Sequence, residues 1–291
     1  MKEITVRACA KINLSLDIKG VREDGYHLME MVMQSVGLAD VIRLKKTLKG
    51  VSLTVQQDAP QPSAIPRGEG NTAVRAAQLF FEKTGLPGGC QIKLEKHIPS
   101  QAGMGGGSAD AAGVLAGLDR LYGTGLPKEA LLEMGLAVGA DVPFCLTGGT
   151  ALVTGIGEKV EPLPPWKNGR IVIIKPAFGI STAAAFKRYD KQGASKRPDT
   201  AALVQALARG DLAAMGAAMG NVMAEGLPEI EALREKLLAT GAAGALMTGS
   251  GSAVYGIFAS ELEALSAMGR RLSEGKAYLT APVPCGVFFE E

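Results

Sequence analysis

Between Ile98 and Gly113 the chain reads IPSQAGMGGGSADAAG, and three consecutive glycines, Gly105, Gly106 and Gly107, run straight into a helical pattern. The first turn of a helix leaves backbone N–H groups without partners and carries the positive end of the helix dipole, so such a junction is a ready anion site. Ser108 and Asp110 stand where caps for that helix would be. One reading is a phosphate cradle, with the glycines letting backbone approach the anion and Ser108 donating from the helix start. Another is a mobile connector. A dinucleotide fingerprint fits less well, because the third glycine of G-x-G-x-x-G falls on Ser108 and the preceding strand pattern alternates. A Walker A loop is excluded, since no G-K-[ST] follows the glycines.

Other residues have to decide between these. Lys11 shares a strand face with Asn13 and Ser15, which suits a cleft floor and an ordinary sheet surface equally. Asp141, in GADVPF, lies just after a helix ends and two residues before Pro143. It reads either as a cap for the next helix or as a carboxylate held at an element terminus to take a proton from a hydroxyl. Tyr26 and His27, in DGYHLM, are turn residues when taken singly; together they offer a stacking surface beside a hydrogen-bonding group, as a nucleobase pocket needs. Phe186, in GISTAAAF, reads as a core residue on a helix. MTGSGSAVYG, Met247 to Gly256, is a second glycine loop, with more glycine and hydroxyl groups than a hairpin turn requires.

The elements that must position these residues are clear in outline. In ITVRACAKINLSLDI, Ile4, Val6, Ala8, Ala10, Ile12, Leu14, Leu16 and Ile18 fall on one face, and Arg7, Cys9, Lys11, Asn13, Ser15 and Asp17 on the other. LMEMVMQSVGL, DVIRLKKT and GVSLTVQQD read as three further strands, followed by a Pro-rich loop from Pro60 to Pro66. NTAVRAAQLFFEKTG, SADAAGVLAGLDRLYG and PKEALLEMGLAVG read as helices; CQIKLEKHI and TALVTGIGEKVEPL supply strands. The proline cluster EPLPPWKNG is the candidate boundary, dividing the chain into residues 1–160 and 161–291. Beyond it come strand RIVIIK, helices from about Ser181 to Thr240, strands GALMT and AVYGIFA, helix ELEALSAMGRRLSEG and strand CGVFFE. That β-α-β-β-α-β order predicts an α+β unit with helices on one face of a mixed sheet.

With 291 residues, 47% apolar and 21% charged, the chain can bury a substantial core. Its 31 basic and 29 acidic residues leave a net charge of +2, which argues against nucleic-acid or membrane-surface partners. Cys9, Cys90, Cys145 and Cys285 are far apart and, with only two histidines, form no zinc pattern; they read as reduced thiols. No apolar stretch reaches the roughly 18 residues of a membrane span. A cytoplasmic protein is expected.

AKINLSLDI, DGYHLM, AGMGGGSADAA, GADVPF, KPAFGIST and MTGSGSAVYG follow one another over essentially the whole chain, and in this the sequence resembles the GHMP kinase superfamily. The resemblance implies an α+β, two-domain fold: an N-terminal mixed sheet with helices, a smaller C-terminal α+β domain, and an active site in the cleft between them. It implies an enzyme that uses ATP and Mg2+ to phosphorylate an alcohol group. AKINLSLDI with DGYH and GADVPF narrows it to the branch whose small-molecule substrate carries a cytidine diphosphate, in isoprenoid precursor synthesis by the non-mevalonate route. On that match the ATP phosphates would lie along Pro99, Ser100, Gln101, Ala102, Gly103 and Met104, continuing through Gly105, Gly106, Gly107, Ser108 and Ala109. Asp141 would be the general base, Lys11 the catalytic lysine, and Asn13 would position the reacting hydroxyl. Cytosine would be held by Tyr26, His27 and Phe186 with Thr182 nearby, and Gly249 and Ser250 would approach the substrate from the second domain. Met104 stands where Leu is usual, a near volume-conserving change, and Ala109 stands where Ser is frequent, a lost hydroxyl that leaves the magnesium ligands unassigned. A monomer and a homodimer both remain open. A sister kinase acting on homoserine, mevalonate or a sugar would need no cytosine pocket, and a silent nucleotide sensor would need neither Lys11 nor Asp141.

Overall fold

A computed structural model describes residues 1–57, 65–66, 68–269 and 275–290. Most of the predicted Pro60–Pro66 loop and the end of the predicted helix ELEALSAMGRRLSEG lie outside the described residues. In chain order the first part holds β1 (Glu3–Val21), β2 (His27–Thr47), β3 (Gly50–Gln57), α1 (Thr72–Thr84), β4 (Gly89–Lys96), α2 (Gly106–Tyr122), α3 (Lys128–Val138), α4 (Val142–Thr147), β5 (Thr150–Gly155) and β6 (Lys159–Pro162). The remainder holds β7 (Arg170–Pro176), α5 (Thr182–Gln192), α6 (Thr200–Arg209), α7 (Leu212–Ala218), β8 (Gly220–Asn221), α8 (Pro228–Ala239), β9 (Gly244–Met247), β10 (Val254–Phe258), α9 (Glu261–Gly269), β11 (Gly275–Thr280) and β12 (Val287–Glu290).

β1 and β2 form one long antiparallel ribbon, paired from Glu3↔Lys45 to Val21↔His27. The two strands expected from LMEMVMQSVGL and DVIRLKKT are thus a single strand. Register shifts at Cys9/Ala10, Asn13/Ser15 and Ile18/Gly20 let it follow β1 without interruption. The sheet runs β12-β1-β2-β4-β3, with β5 also on β2, β6 on β5 and β8 on β1. A second sheet runs β11-β7-β10-β9. Its last strand, β11, comes from GKAYLT, which the sequence reading passed over. CGVFFE instead crosses back as β12 and pairs with β1, Thr5 opposite Glu290.

The even face of β1 is buried, as its alternation requires, and α2 lies unusually close upon it. A Cβ on Gly113 would come within 2.6 Å of Ile42 Cδ1, and one on Gly117 within 2.5 Å of Leu44 Cδ1. Small residues at these positions set the distance between helix and sheet. The odd face is covered too: Lys11, Asn13, Ser15 and Asp17 are all buried. Tyr255 of β10 donates its hydroxyl to Asn13 O at 2.7 Å, and Arg197 donates to Asp17 Oδ1 at 2.5 Å, so the second half of the chain closes over the polar side of β1.

Candidate active site

Gly105 (φ +68°) is the N-cap of α2, and no side chain caps the helix. Ser108 and Asp110, expected as caps, lie inside the first turns instead, because the helix begins at Gly106. The uncapped N–H groups therefore face a cleft of about 670 Å³ lined by residues 99–108. Ala109 does not line it; its amide donates to Gly105 O at 2.8 Å and its side chain is buried. The Lys11 amide donates to Met104 O at 3.1 Å, pinning the glycine loop to β1.

Directly under this junction sit Lys11 and Asp141. Lys11 Nζ lies 3.5 Å from Asp141 Oδ2 and donates to Asn13 Oδ1 at 2.7 Å. Its side chain is 5% exposed, so the open choice between cleft floor and sheet surface resolves to the floor. Asp141 occupies the N-cap position of α4, yet its carboxylate makes no capping bond there. It remains partly exposed to the cleft, facing the lysine. A Cβ placed on Gly105 would be 3.1 Å from Lys11 Cγ and 3.7 Å from Asp141 Oδ2, so only glycine leaves the space above the pair open. The arrangement sets an anion seat, a cation and an acceptor carboxylate around one volume, which is what proton removal from a hydroxyl attacking a phosphoryl group requires.

The second glycine loop closes the far wall. Thr248 Oγ1 accepts from Asn13 N at 3.1 Å and lies 3.3 Å from Gly103 O, while Ser252 N and Ala253 N donate to Gln101 O and Ala102 O. Thr182, Phe186, Gly249 and Ser250 line the cleft, with Thr182 Oγ1 and Ser250 Oγ 3.1 Å apart. Asn13 is fully buried behind Lys11. Tyr26 and His27 are not among the residues that line this cleft; His27 is joined to it through Phe186. His27 stacks on Phe186 (centroids 4.4 Å, planes at 25°), whereas Tyr26 is 58% exposed and sits beside Arg22.

Several residues escaped the sequence reading. Thr72 donates to Gly107 O at 2.6 Å, joining the start of α1 to that of α2. Lys96, at the end of β4, lines the cleft below Gly106 and bridges two buried carboxylates, Asp40 and Asp110, the latter at 2.7 Å. Burial pushes the Asp110 carboxyl up to about 8, Lys96 pulling it down and Asp40 pushing it further up. For Lys96, burial pulls the ammonium down, but the two carboxylates outweigh it and hold the group above its ordinary range. The one available signal was Lys96 itself, a lysine on the apolar side of an alternating strand just before the glycines.

Among the described residues no group of three or more His, Cys, Asp or Glu side chains could hold a metal, and no helix is long and apolar enough to cross a membrane.

The family described as GHMP kinases N terminal domain matches residues 71–149, which contain the glycine junction and Asp141. The family described as GHMP kinases C terminal matches residues 203–274, which contain the second glycine loop. Fold and cleft thus define an ATP-dependent kinase of the GHMP class. A 4-diphosphocytidyl-2-C-methyl-D-erythritol kinase of Acetivibrio thermocellus is 40% identical over 97% of this chain and 100% of its own. The crystal structure of a 4-(cytidine 5'-diphospho)-2C-methyl-D-erythritol kinase superposes with a TM-score of 0.80 at 32% identity, covering 96% of this chain and 99% of that one. A homoserine kinase from Cytophaga hutchinsonii shares the fold, with a TM-score of 0.79 at 21% identity, covering 100% of this chain and 98% of that one. The chain belongs to the 4-diphosphocytidyl-2-C-methyl-D-erythritol kinase family.

Proposed function

We infer that this protein transfers the γ-phosphoryl group of ATP to the 2-hydroxyl of 4-diphosphocytidyl-2-C-methyl-D-erythritol. The observation that carries the chemistry is the Lys11–Asp141 pair, 3.5 Å apart, beneath the uncapped start of α2. Phosphoryl transfer asks mainly for positioning and for stabilisation of charge on the moving group. The N–H groups at the start of α2 hold phosphate oxygens. Asp141 accepts the hydroxyl proton as the new O–P bond forms and the bond to the departing diphosphate oxygen breaks. Lys11 offsets charge on the reacting oxygens, and Asn13, held by Thr248, accepts from the ammonium and keeps Lys11 aligned with the reacting hydroxyl. His27, Phe186 and Tyr26 form the cytosine end, with Thr182, Gly249 and Ser250 along the wall between. Mg2+ would neutralise phosphate charge when bound; of the hard oxygen donors that line the cleft, the Ser108 hydroxyl at the start of α2 could reach an ion that takes most of its ligands from phosphates and water. Residues 1–160 and 161–291 act as the two domains, with β12 lent back to the first. The four cysteines are unpaired, three of them buried, which suits a reducing cytoplasm.

The test is Mg2+- and ATP-dependent phosphorylation by the purified chain, with homoserine and mevalonate as competing acceptors. Turnover confined to the cytidine diphosphate acceptor is expected. Turnover of another acceptor instead would keep the transfer site and discard the cytosine assignment.

A further inference from the structure

His27 opens β2 beside Phe186, a residue that lines the cleft, and three residues of α5 hold its ring. Phe186 stacks on one face at 4.4 Å, Tyr189 meets it edge-on at 6.4 Å, and Asp190 Oδ1 lies 2.6 Å from Nε2. The spacing of 186, 189 and 190 puts all three on one face of the helix. A carboxylate only accepts hydrogen bonds, so the nitrogen facing Asp190 must carry the hydrogen. In the neutral ring that leaves Nδ1 as a lone-pair acceptor, the one ring nitrogen available to a ligand. The His27 side chain is 13% exposed, so the ring is not fully enclosed.

Cytosine and uracil differ at the exocyclic position of the base edge: cytosine presents an amine donor, uracil a carbonyl acceptor. An acceptor Nδ1 pairs with the first and opposes the second. We propose that Asp190 is a positioning residue that fixes the His27 ring with Nδ1 turned to the base, and thereby sets the preference for a cytosine over a uracil substrate. This rests on the substrate reading given above. Specificity of this kind comes from leaving a polar group unpaired in the wrong complex, as well as from the bond made in the right one. Asp190 itself is exposed at the end of a helix already stacked on His27, so its replacement leaves the fold intact.

The experiment is steady-state kinetics on the full chain at about pH 8, above the ordinary histidine range. The acceptor and its uridine counterpart are compared for the unaltered protein, Asp190→Ala and Asp190→Asn. Asp190→Ala should raise KM for the cytidine acceptor about tenfold, and lower the cytidine-over-uridine preference by a similar factor, roughly the 1.4 kcal/mol of one oriented hydrogen bond. The kcat at saturation and the KM for ATP should stay unchanged. Asp190→Asn, whose amide oxygen still accepts from Nε2–H, should keep most of the preference. Equal turnover of both acceptors by the unaltered protein would overturn the proposal. So would an Asp190→Ala variant that keeps the normal preference, including one that weakens both acceptors equally. Failure of the unaltered protein to phosphorylate the cytidine acceptor at all would instead overturn the substrate reading.

Discussion

Asp110 is buried in the first turns of α2, one oxygen 2.7 Å from Lys96 Nζ and the other without a hydrogen-bond partner among the described residues. Asp110 is buried and shares one lysine with Asp40, so its charged form is costly and its carboxyl is raised. With the folded value raised to about 8, the folded state binds more protons than the unfolded one between the ordinary carboxyl range, about 4, and about 8. Stability from this group is therefore full below about pH 4 and is lost as pH rises through about 8. Asp110→Asn removes the titration while keeping the shape. The melting temperature of the unaltered protein, measured relative to that of Asp110→Asn, should fall as pH is raised from about 5 to about 8. Parallel curves for the two proteins would contradict the raised carboxyl. Sequence spacing made Asp110 look like a cap because its true partner lies 14 residues back, on another element. Asp141 was legible as a residue at an element end, but nothing local to GADVPF shows the lysine 130 positions earlier that draws its carboxylate away from capping.

Among the elements, the proposed phosphate seat rests on a contact between two glycine loops. Gly103 (φ +72°) has no room for a side chain: a Cβ would overlap the carbonyl oxygen of Thr248 and stand 2.9 Å from Gly251 N, both of them backbone atoms that cannot swing aside. Gly103→Ala should destabilise the fold by about 1–3 kcal/mol in denaturant titration, because strain at a positive φ adds to the collision. It should also weaken ATP binding, since the loop is displaced from the start of α2. Wild-type stability together with wild-type ATP affinity would show that the two loops do not constrain each other. The helix boundaries around this seat were readable, since α1 starts after Asn71, which accepts from Ala73 N, and stops at Gly85 in the left-handed conformation. Strand boundaries were less so. The apolar period continues through Gly37 and Leu38, and only pairing with β1 shows that β2 is one strand.

Across the whole molecule, the cleft exists because the second half of the chain returns to β1. Tyr255 on β10 and Arg197 before α6 bond to β1, Thr248 reaches the Asn13 amide, and β12 adds itself to the edge of the first sheet. Motif order announced two domains and a cleft. It did not reveal that the polar face of β1 would be buried, because the groups covering it lie more than 170 residues away in sequence. On the proposed function, this assembly brings Asp141 as base, Lys11 and a phosphate seat to one point, so that transfer can be removed while nucleotide binding persists. The most direct test is Asp141→Asn, measuring kcat beside the equilibrium affinity for ATP. Turnover should fall by about two orders of magnitude or more, the usual scale for a lost general base, with ATP affinity held within about twofold. Near-normal turnover in that variant would contradict the assignment of Asp141 as the base.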